Sequence, residues 1–388
     1  MHLTAQSLKT PPLAASRVYA HYRSQGDGHI TVDSDEDAKT ALEAITTLGL
    51  DAHLGSPQPG KVTISVRQPA KLALLGLGTV GTGVLERALM EPDLYTIAAI
   101  AVRSPDKHKP TLDRLDLPHS LLTTADQLAG NNYDILVEVA GGLDTAHDAI
   151  TAALNNKSEV VTANKALIAE RGPELRERAH KQGVSLRYAA AVAGGIPALE
   201  FIERESKAAH EHGGIYSIRG VVNGTTNYLL TELAAGASFK DTIAKAIDLG
   251  YAEAEYHFDT DGIDAAQKLA IMVHTATNAV GQPFDINWKD IKRDPLNAEN
   301  APDITARPGI TRQVAMFLVE HSKPTVELAP LEPTDPLYDL PGPWNGVEIR
   351  FNDGTSRSIK GVGAGRYPTA ASVFADIENA AVDRSLRG

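Results

Sequence analysis

Gly76-Leu77-Gly78-Thr79-Val80-Gly81 follows the apolar run Leu72-Ala73-Leu74-Leu75 and opens a stretch with Val80, Val84, Leu85 and Ala88 at helical spacing. No other segment narrows the fold as far. A strand that turns through glycines straight into a helix begins a βαβ unit. There, glycine permits the tight turn and lets backbone amides approach a pyrophosphate at the helix N-terminus. Gly76, Gly78, Thr79, Val80 and Gly81 are therefore read as cofactor-binding. The glycine pattern by itself is weak; the strand before it and the helix behind it supply its force.

Strand and helix signals alternate from Lys71 to about Ala190. Strands are expected at 72–75, 96–102, 134–139, 159–162 and 185–189, with helices between them that include 80–89 and 145–154. That alternation is the pattern of an α/β, Rossmann-type doubly wound parallel sheet, assigned to residues 71–190. Residues 191–360 are read as a second, α+β unit for substrate, with one strand around 215–222 and several helices. A Pro-rich stretch, 328–343, then leads to further strand candidates and a last helix from about 370. Residues 1–70 form a small N-terminal α+β extension, either a regulatory module or a structural addition. Its strands are expected at 18–22, 29–32 and 62–66 and its helix at 35–48.

The formal net charge of -12 gives no footprint for nucleic acid or an anionic membrane. Cysteine is absent, which removes disulfides, thiolate metal sites and cysteine nucleophiles together. No run of about 18 apolar residues is present, and no leader pattern opens the chain. A soluble, cytoplasmic protein with a small-molecule substrate is expected.

The end of the second strand bears on the choice of dinucleotide. An NAD site usually places an acidic side chain there for the ribose hydroxyls. Here Ala101-Val102-Arg103 is followed by Lys107 and Lys109. Cations at that edge pair with a 2′-phosphate, so Arg103 and Lys107 are assigned to the cofactor and NADP(H) is preferred over NAD(H).

Two segments carry chemistry. Thr162-Ala163-Asn164-Lys165 ends the strand Glu159-Val160-Val161, and residues at strand C-termini line the crevice of such sheets. Gly262-Ile263-Asp264-Ala265-Ala266-Gln267-Lys268 sets a carboxylate and a lysine four positions apart on one helical face. Its proximity to Tyr251-Ala252-Glu253 suits an amino-acid substrate, whose ammonium needs carboxylates and whose carboxylate needs a cation. Gly194-Gly195-Ile196-Pro197 and Asn223-Gly224-Thr225-Thr226-Asn227-Tyr228 are loop-to-helix junctions that either bind anions through backbone amides or serve as helix caps.

Taken together these blocks resemble the homoserine dehydrogenase family from about Lys71 to the C-terminus. Val137-Glu138-Val139-Ala140-Gly141-Gly142, Leu249-Gly250-Tyr251-Ala252-Glu253 and Gly361-Val362-Gly363-Ala364-Gly365-Arg366-Tyr367-Pro368-Thr369 complete the series in order. The resemblance implies reversible NADP(H)-dependent interconversion of L-homoserine and L-aspartate 4-semialdehyde, in the route to threonine and methionine. It implies that Lys268 is the proton donor in the reductive direction and that Lys165 contacts cofactor and substrate and shares the proton task. Glu253, Asp264, Gly224 and Thr225 then bind substrate. The glycine loop that includes Gly365 returns to the cofactor, so residues 361–388 complete the nucleotide domain. A sodium site on the carbonyls of Ala189, Val192, Gly194 and Ile196 and a homodimer through the substrate domain are implied as well.

Some positions depart from the family pattern. Ala189 stands where the family usually has Glu, and Glu255-Tyr256 replaces its usual Asp-Pro pair. Residues 286–333 match poorly, residues 1–70 lie outside the catalytic core, and a regulatory extension after the last helix is not expected. Two rival readings are a dehydrogenase for another small amino alcohol or hydroxy acid, and a nucleotide sensor without catalysis. A sensor needs no proton relay, which weighs against the second.

Overall fold

The computed structural model describes residues 28–32, 39, 52–54, 62–66 and 69–387, apart from 129, 131, 132, 253, 254, 283, 285, 364 and 365. Within the first 70 residues, β1 (Gly28–Val32), β2 (Ala52–Leu54) and β3 (Val62–Val66) form an antiparallel sheet in the order β1-β3-β2. The strand expected at 18–22 and nearly all of the helix expected at 35–48 lie outside the described residues.

Six strands then build the parallel sheet: β4 (Ala70–Leu75), β5 (Tyr95–Ala101), β6 (Leu122–Thr123), β7 (Ile135–Glu138), β8 (Glu159–Thr162) and β9 (Leu186–Arg187). Their order is β6-β5-β4-β7-β8-β9, and every neighbouring pair is parallel. The near-continuous apolar runs of these strands follow from burial on both faces. Leu72, Leu74, Ile135 and Val137 pack toward the helix Thr79–Leu89 and the C-terminal helix Arg366–Arg387, through Val84, Leu85, Val373 and Phe374. Ala73, Leu75, Leu136 and Val160 face the opposite layer, helices Asp144–Asn155 and Lys165–Gln182. Each fully buried leucine contributes about 1.5–3 kcal/mol. Successive residues of one strand thus glue two helical layers to the sheet. The strand order reverses between β4 and β7, and ligands of such sheets bind at that point, beyond the strand C-termini.

The second sheet holds β10 (Ile215–Val221), β11 (Lys292–Arg293), β12 (Ile310–Leu318), β13 (Lys323–Leu331), β14 (Trp344–Phe351) and β15 (Ser356–Val362). Its order is β11-β13-β12-β10-β14-β15, antiparallel except where β11 meets β13. Helices Ala198–Ala208 and Ile263–Ala279 cover one face, with Phe201, Ile202, Leu269 and Met272 packed on Ile218, Phe317, Val347 and Ile349.

This sheet corrects the expectation of a single strand and several helices before residue 328. The long strands β12 and β13 escaped the sequence pattern for two physical reasons. β12 is buried on both faces, Ala315 and Phe317 against helices and Val314 against Leu337 and Leu340, so it lacks the alternation of a half-buried strand. β13 contains Pro324 and Pro330, residues that argue against a central strand. Along most of its length, however, β13 is an edge, because β11 pairs only with Thr325 and Val326.

Candidate active site

The glycine turn behaves as two kinds of position. Gly76 has φ +104, and a Cβ there would come 2.7 Å from the backbone of Ala140, so the fold itself demands glycine. Gly78 is exposed, and a Cβ on it would meet nothing within 4 Å. The helix Thr79–Leu89 has neither a side-chain cap at Gly78 nor an acidic residue in its first turn. The amides of Thr79, Val80 and Gly81 are therefore left for an anionic ligand. Arg103 stands exposed just beyond β5, and Lys107 is exposed on the helix Pro105–Arg114. Lys109 is held by Asp106 at 2.6 Å.

A buried carboxylate organises the ends of β7 and β8, and the sequence reading gave it no role. Glu138 is fully buried; its Oε1 accepts from the amides of Ala140 (2.9 Å) and Gly141 (3.0 Å). Its Oε2 accepts from Thr162 Oγ1 at 2.5 Å, and Thr162 Oγ1 in turn accepts from the Asn164 amide at 3.0 Å. Asn164 caps the helix Lys165–Gln182 by accepting from Leu167 N and donates to the Gly142 carbonyl at 2.7 Å. Burial pushes the Glu138 carboxyl above its ordinary range while these hydrogen bonds pull it back. The network fixes the loop after β7 to the loop after β8, and so fixes where Lys165 begins its helix.

Lys165 is the first residue of that helix, where a cation opposes the helix dipole. The opposition is compensated across the fold. Lys165 Nζ donates to Asp264 Oδ1, and Lys268 Nζ pairs with Asp264 Oδ2 at 2.9 Å. Asp264 sits in the first turn of the helix Ile263–Ala279, where a carboxylate is favoured, and Gly262 enters that helix at φ +72. Asp264 is only 2% exposed. Burial alone would raise its carboxyl, but the two ammonium groups outweigh that and hold it far below the carboxylate range. Lys268 is displaced downward, chiefly by burial and further by Lys165, with Asp264 opposing. Lys268 Nζ also donates to the Val222 carbonyl at 2.6 Å.

The sequence thus placed Asp264 and Lys268 on one helical face, and the fold brings Lys165 to them from 99 residues earlier. It also adds residues that the motif reading did not assign. Asn223 Nδ2 donates to Asp264 Oδ2 and to Asp259 Oδ1, each at 2.7 Å. Burial, then the neighbouring Asp264, raises the Asp259 carboxyl against the Asn223 hydrogen bond. Asp259 was visible only as turn chemistry in Asp259-Thr260-Asp261-Gly262; tertiary packing turns it inward. Phe258 lies under Lys165, with Nζ 5.2 Å from the ring centre.

Gly224 opens the helix Gly224–Ala234, and its cap is Asn223, which accepts from Thr226 N at 2.8 Å. Neither threonine caps it. Thr225 instead donates to the Tyr251 carbonyl at 2.5 Å, tying this loop to the segment that leads to Glu253. Glu253 and Gly365 lie outside the described residues.

The Gly194-Gly195-Ile196-Pro197 junction is a packing site, because a Cβ on Gly195 would collide with the Val362 carbonyl at the end of β15. Of its amides, Ile196 N is already engaged, donating to Ala193 O at 2.8 Å. Among the four carbonyls assigned to sodium, Ala189 accepts from Val192 N (3.4 Å), Gly194 from Ser372 (2.7 Å) and Ile196 from Ala198 N (2.8 Å). Ala189 brings no carboxylate; its amide donates to Asp376 at 2.8 Å. Three of the four oxygens thus each accept one hydrogen bond, which leaves each a second acceptor direction, and position 189 adds no carboxylate to the set. Among the described residues no group of three or more His, Asp or Glu is placed to hold a metal, and no helix is long and apolar enough to cross a membrane.

Comparison with known proteins agrees with this geometry. Residues 76–189 match the model of the homoserine dehydrogenase NAD-binding domain, and residues 197–377 match the homoserine dehydrogenase model. A homoserine dehydrogenase of Pseudomonas aeruginosa is 38% identical over 322 residues, 78% of this chain and 70% of that protein. One from Synechocystis is 34% identical over 326 residues, 79% of this chain and 72% of that protein. The crystal structure of a homoserine dehydrogenase from Thiobacillus denitrificans aligns at TM-score 0.68 with 30% identity, covering 81% of this chain and 73% of that one. A hyperthermophilic archaeal homoserine dehydrogenase in complex with NADPH aligns at TM-score 0.65 with 25% identity, covering 81% and 98%. With a parallel sheet open at its switch point and a lysine–aspartate–lysine cluster beside it, the chain belongs to the homoserine dehydrogenase family of oxidoreductases.

Proposed function

We propose that the protein interconverts L-homoserine and L-aspartate 4-semialdehyde with NADP(H), serving threonine and methionine synthesis in the cytoplasm. The observation that carries this reading is the shared carboxylate Asp264, which ties Lys165 of the nucleotide unit to Lys268 of the second unit. When bound, the nicotinamide supplies or removes hydride. Gly76, Gly78, Thr79, Val80 and Gly81 hold its pyrophosphate, and Arg103 and Lys107 pair with the 2′-phosphate. The NADPH complex of the archaeal relative supports a nicotinamide cofactor of this kind.

In the reductive direction the Lys268 ammonium protonates the alkoxide oxygen as it forms on the former carbonyl carbon. In the oxidative direction the neutral amine takes the hydroxyl proton of homoserine. A lowered pKa suits both tasks, because it brings the two protonation states closer together near neutral pH. Asp264 keeps Lys268 aimed; Lys165 restrains Asp264 and contacts substrate and cofactor. Glu253 receives the substrate ammonium, and Gly224 and Thr225 form the adjoining wall. A homodimer through the second sheet is part of the proposal. A sodium ion held by the carbonyls of Ala189, Val192, Gly194 and Ile196 would take no part in the proton transfer.

The test is an absorbance assay with L-homoserine and each oxidised cofactor. Turnover with a higher kcat/KM for NADP is expected. Absence of turnover with L-homoserine, alongside turnover of a chain-length analogue, would shift the assignment to another amino alcohol.

A further inference from the structure

The Val222 carbonyl, just after β10, receives two donors. Lys268 Nζ approaches at 2.6 Å and Asn345 Nδ2 at 3.0 Å. Asn345 lies on β14 and is 1% exposed. Its orientation is not free: with the amide reversed, two acceptor oxygens would face one another. Its own Oδ1 is buried without a hydrogen-bond partner, a cost that the other end of the carboxamide must offset. The carboxamide lies against Gly363, where a Cβ would collide with its Cγ, Nδ2 and Oδ1 together. Gly363 directly follows β15, which pairs with β14 and sets Gly361 opposite Asn345.

An ammonium has three N–H directions. Asp264 Oδ2 takes one at 2.9 Å and the Val222 carbonyl takes a second. The third is left for the reacting oxygen. Its aim is only as good as the two anchors, and Asn345 fixes the second anchor by occupying one of the two acceptor directions on that oxygen. We infer that Asn345 is a positioning residue for Lys268, and that Gly363 must lack a side chain to leave the carboxamide in place. The inference rests on the reading of Lys268 as the proton donor.

The test uses the full chain carrying Asn345→Leu, which keeps the branched shape and removes the donor. It lowers kcat about tenfold or more, since small misplacements of a reacting group have effects of this size. KM for homoserine changes little. The Val222 oxygen, no longer shared, favours the charged amine, so the alkaline limb of the reductive pH profile moves up by about half a unit or more. Asn345→Ser is read by the same criteria should the leucine variant not fold, and Gly363→Ala reproduces the pattern by displacing the amide. Wild-type kcat and pH profile in a folded variant overturn the inference; so does a fall in kcat with the limb unmoved, which is damage of a general kind. In the Lys268→Ala background, Asn345→Ser costs nothing further. Full turnover by Lys268→Ala would sink the proton-donor reading itself. An inactive Lys268→Ala beside an unaffected Asn345→Ser would sink the positioning role alone.

Discussion

The two ends of the proposed site are built from different materials. The nucleotide end is backbone: Gly76 in a conformation closed to other residues, open space at Gly78, and uncapped amides at the start of a helix. The substrate end is buried charge: one carboxylate, two ammonium groups, a second carboxylate and an asparagine that joins the acids. A backbone site is specified by neighbours in sequence. A charge site needs partners from distant segments, and each charge is costly until its partner arrives. The first therefore tolerates no change of shape, and the second no change of balance.

Substitutions at the charged end should show the largest effect. Lys268→Ala lowers kcat by about 10²–10⁴-fold while the Kd for NADPH stays nearly unchanged; equal loss in both would erase the distinction between the two ends. The pH dependence has a definite sign. Reduction requires the ammonium, so it declines as pH rises through the Lys268 pKa, which burial has displaced below that of an ordinary lysine. Oxidation requires the amine and rises through the same value. Opposed limbs at one pH, measured in the two directions, sharpen the assignment; parallel limbs break it.

Lys165→Ala ranks next, with a fall in turnover of about a hundredfold and weaker binding of substrate or cofactor. It removes one of two cations from Asp264, so the carboxyl rises toward its ordinary range. Single-turnover and steady-state kinetics together separate the two losses.

At the backbone end the glycines should divide. Gly76→Ala destabilises the protein by several kcal/mol, through φ strain and overlap with Ala140. Gly78→Ala leaves the melting temperature close to wild type and raises KM for the cofactor about tenfold, because only the ligand needs that space. Equal melting temperatures for the pair would contradict the division. The smallest effect belongs to Arg103→Ala, a fall of about tenfold in the ratio of NADP to NAD efficiency; an unchanged ratio would remove Arg103 from the 2′-phosphate.

Legibility followed the same line. The C-terminal ends of β4, β7 and β8 fall within a residue of the expected strands, because short apolar runs bounded by Gly, Asp or Asn leave little choice. Asp264 and Lys268 were legible as a helical pair because their spacing is local. Glu138 was not: its significance lies in three hydrogen bonds to two loops, and a lone acid ending an apolar strand carries no signal of that. Asp259 was hidden inside turn chemistry, and Asn345 belongs to no motif. β12 and β13 were lost because burial on both faces and two prolines concealed their period.

By itself the sequence determined the parallel α/β unit, its glycine turn and the residue types available for proton transfer, since each is written in neighbours a few positions apart. Only the tertiary structure decided which acid the two lysines share, what fixes the carbonyl that holds Lys268, and that Gly195 serves packing. Those facts depend on distances between segments tens to hundreds of residues apart, and no local pattern records them.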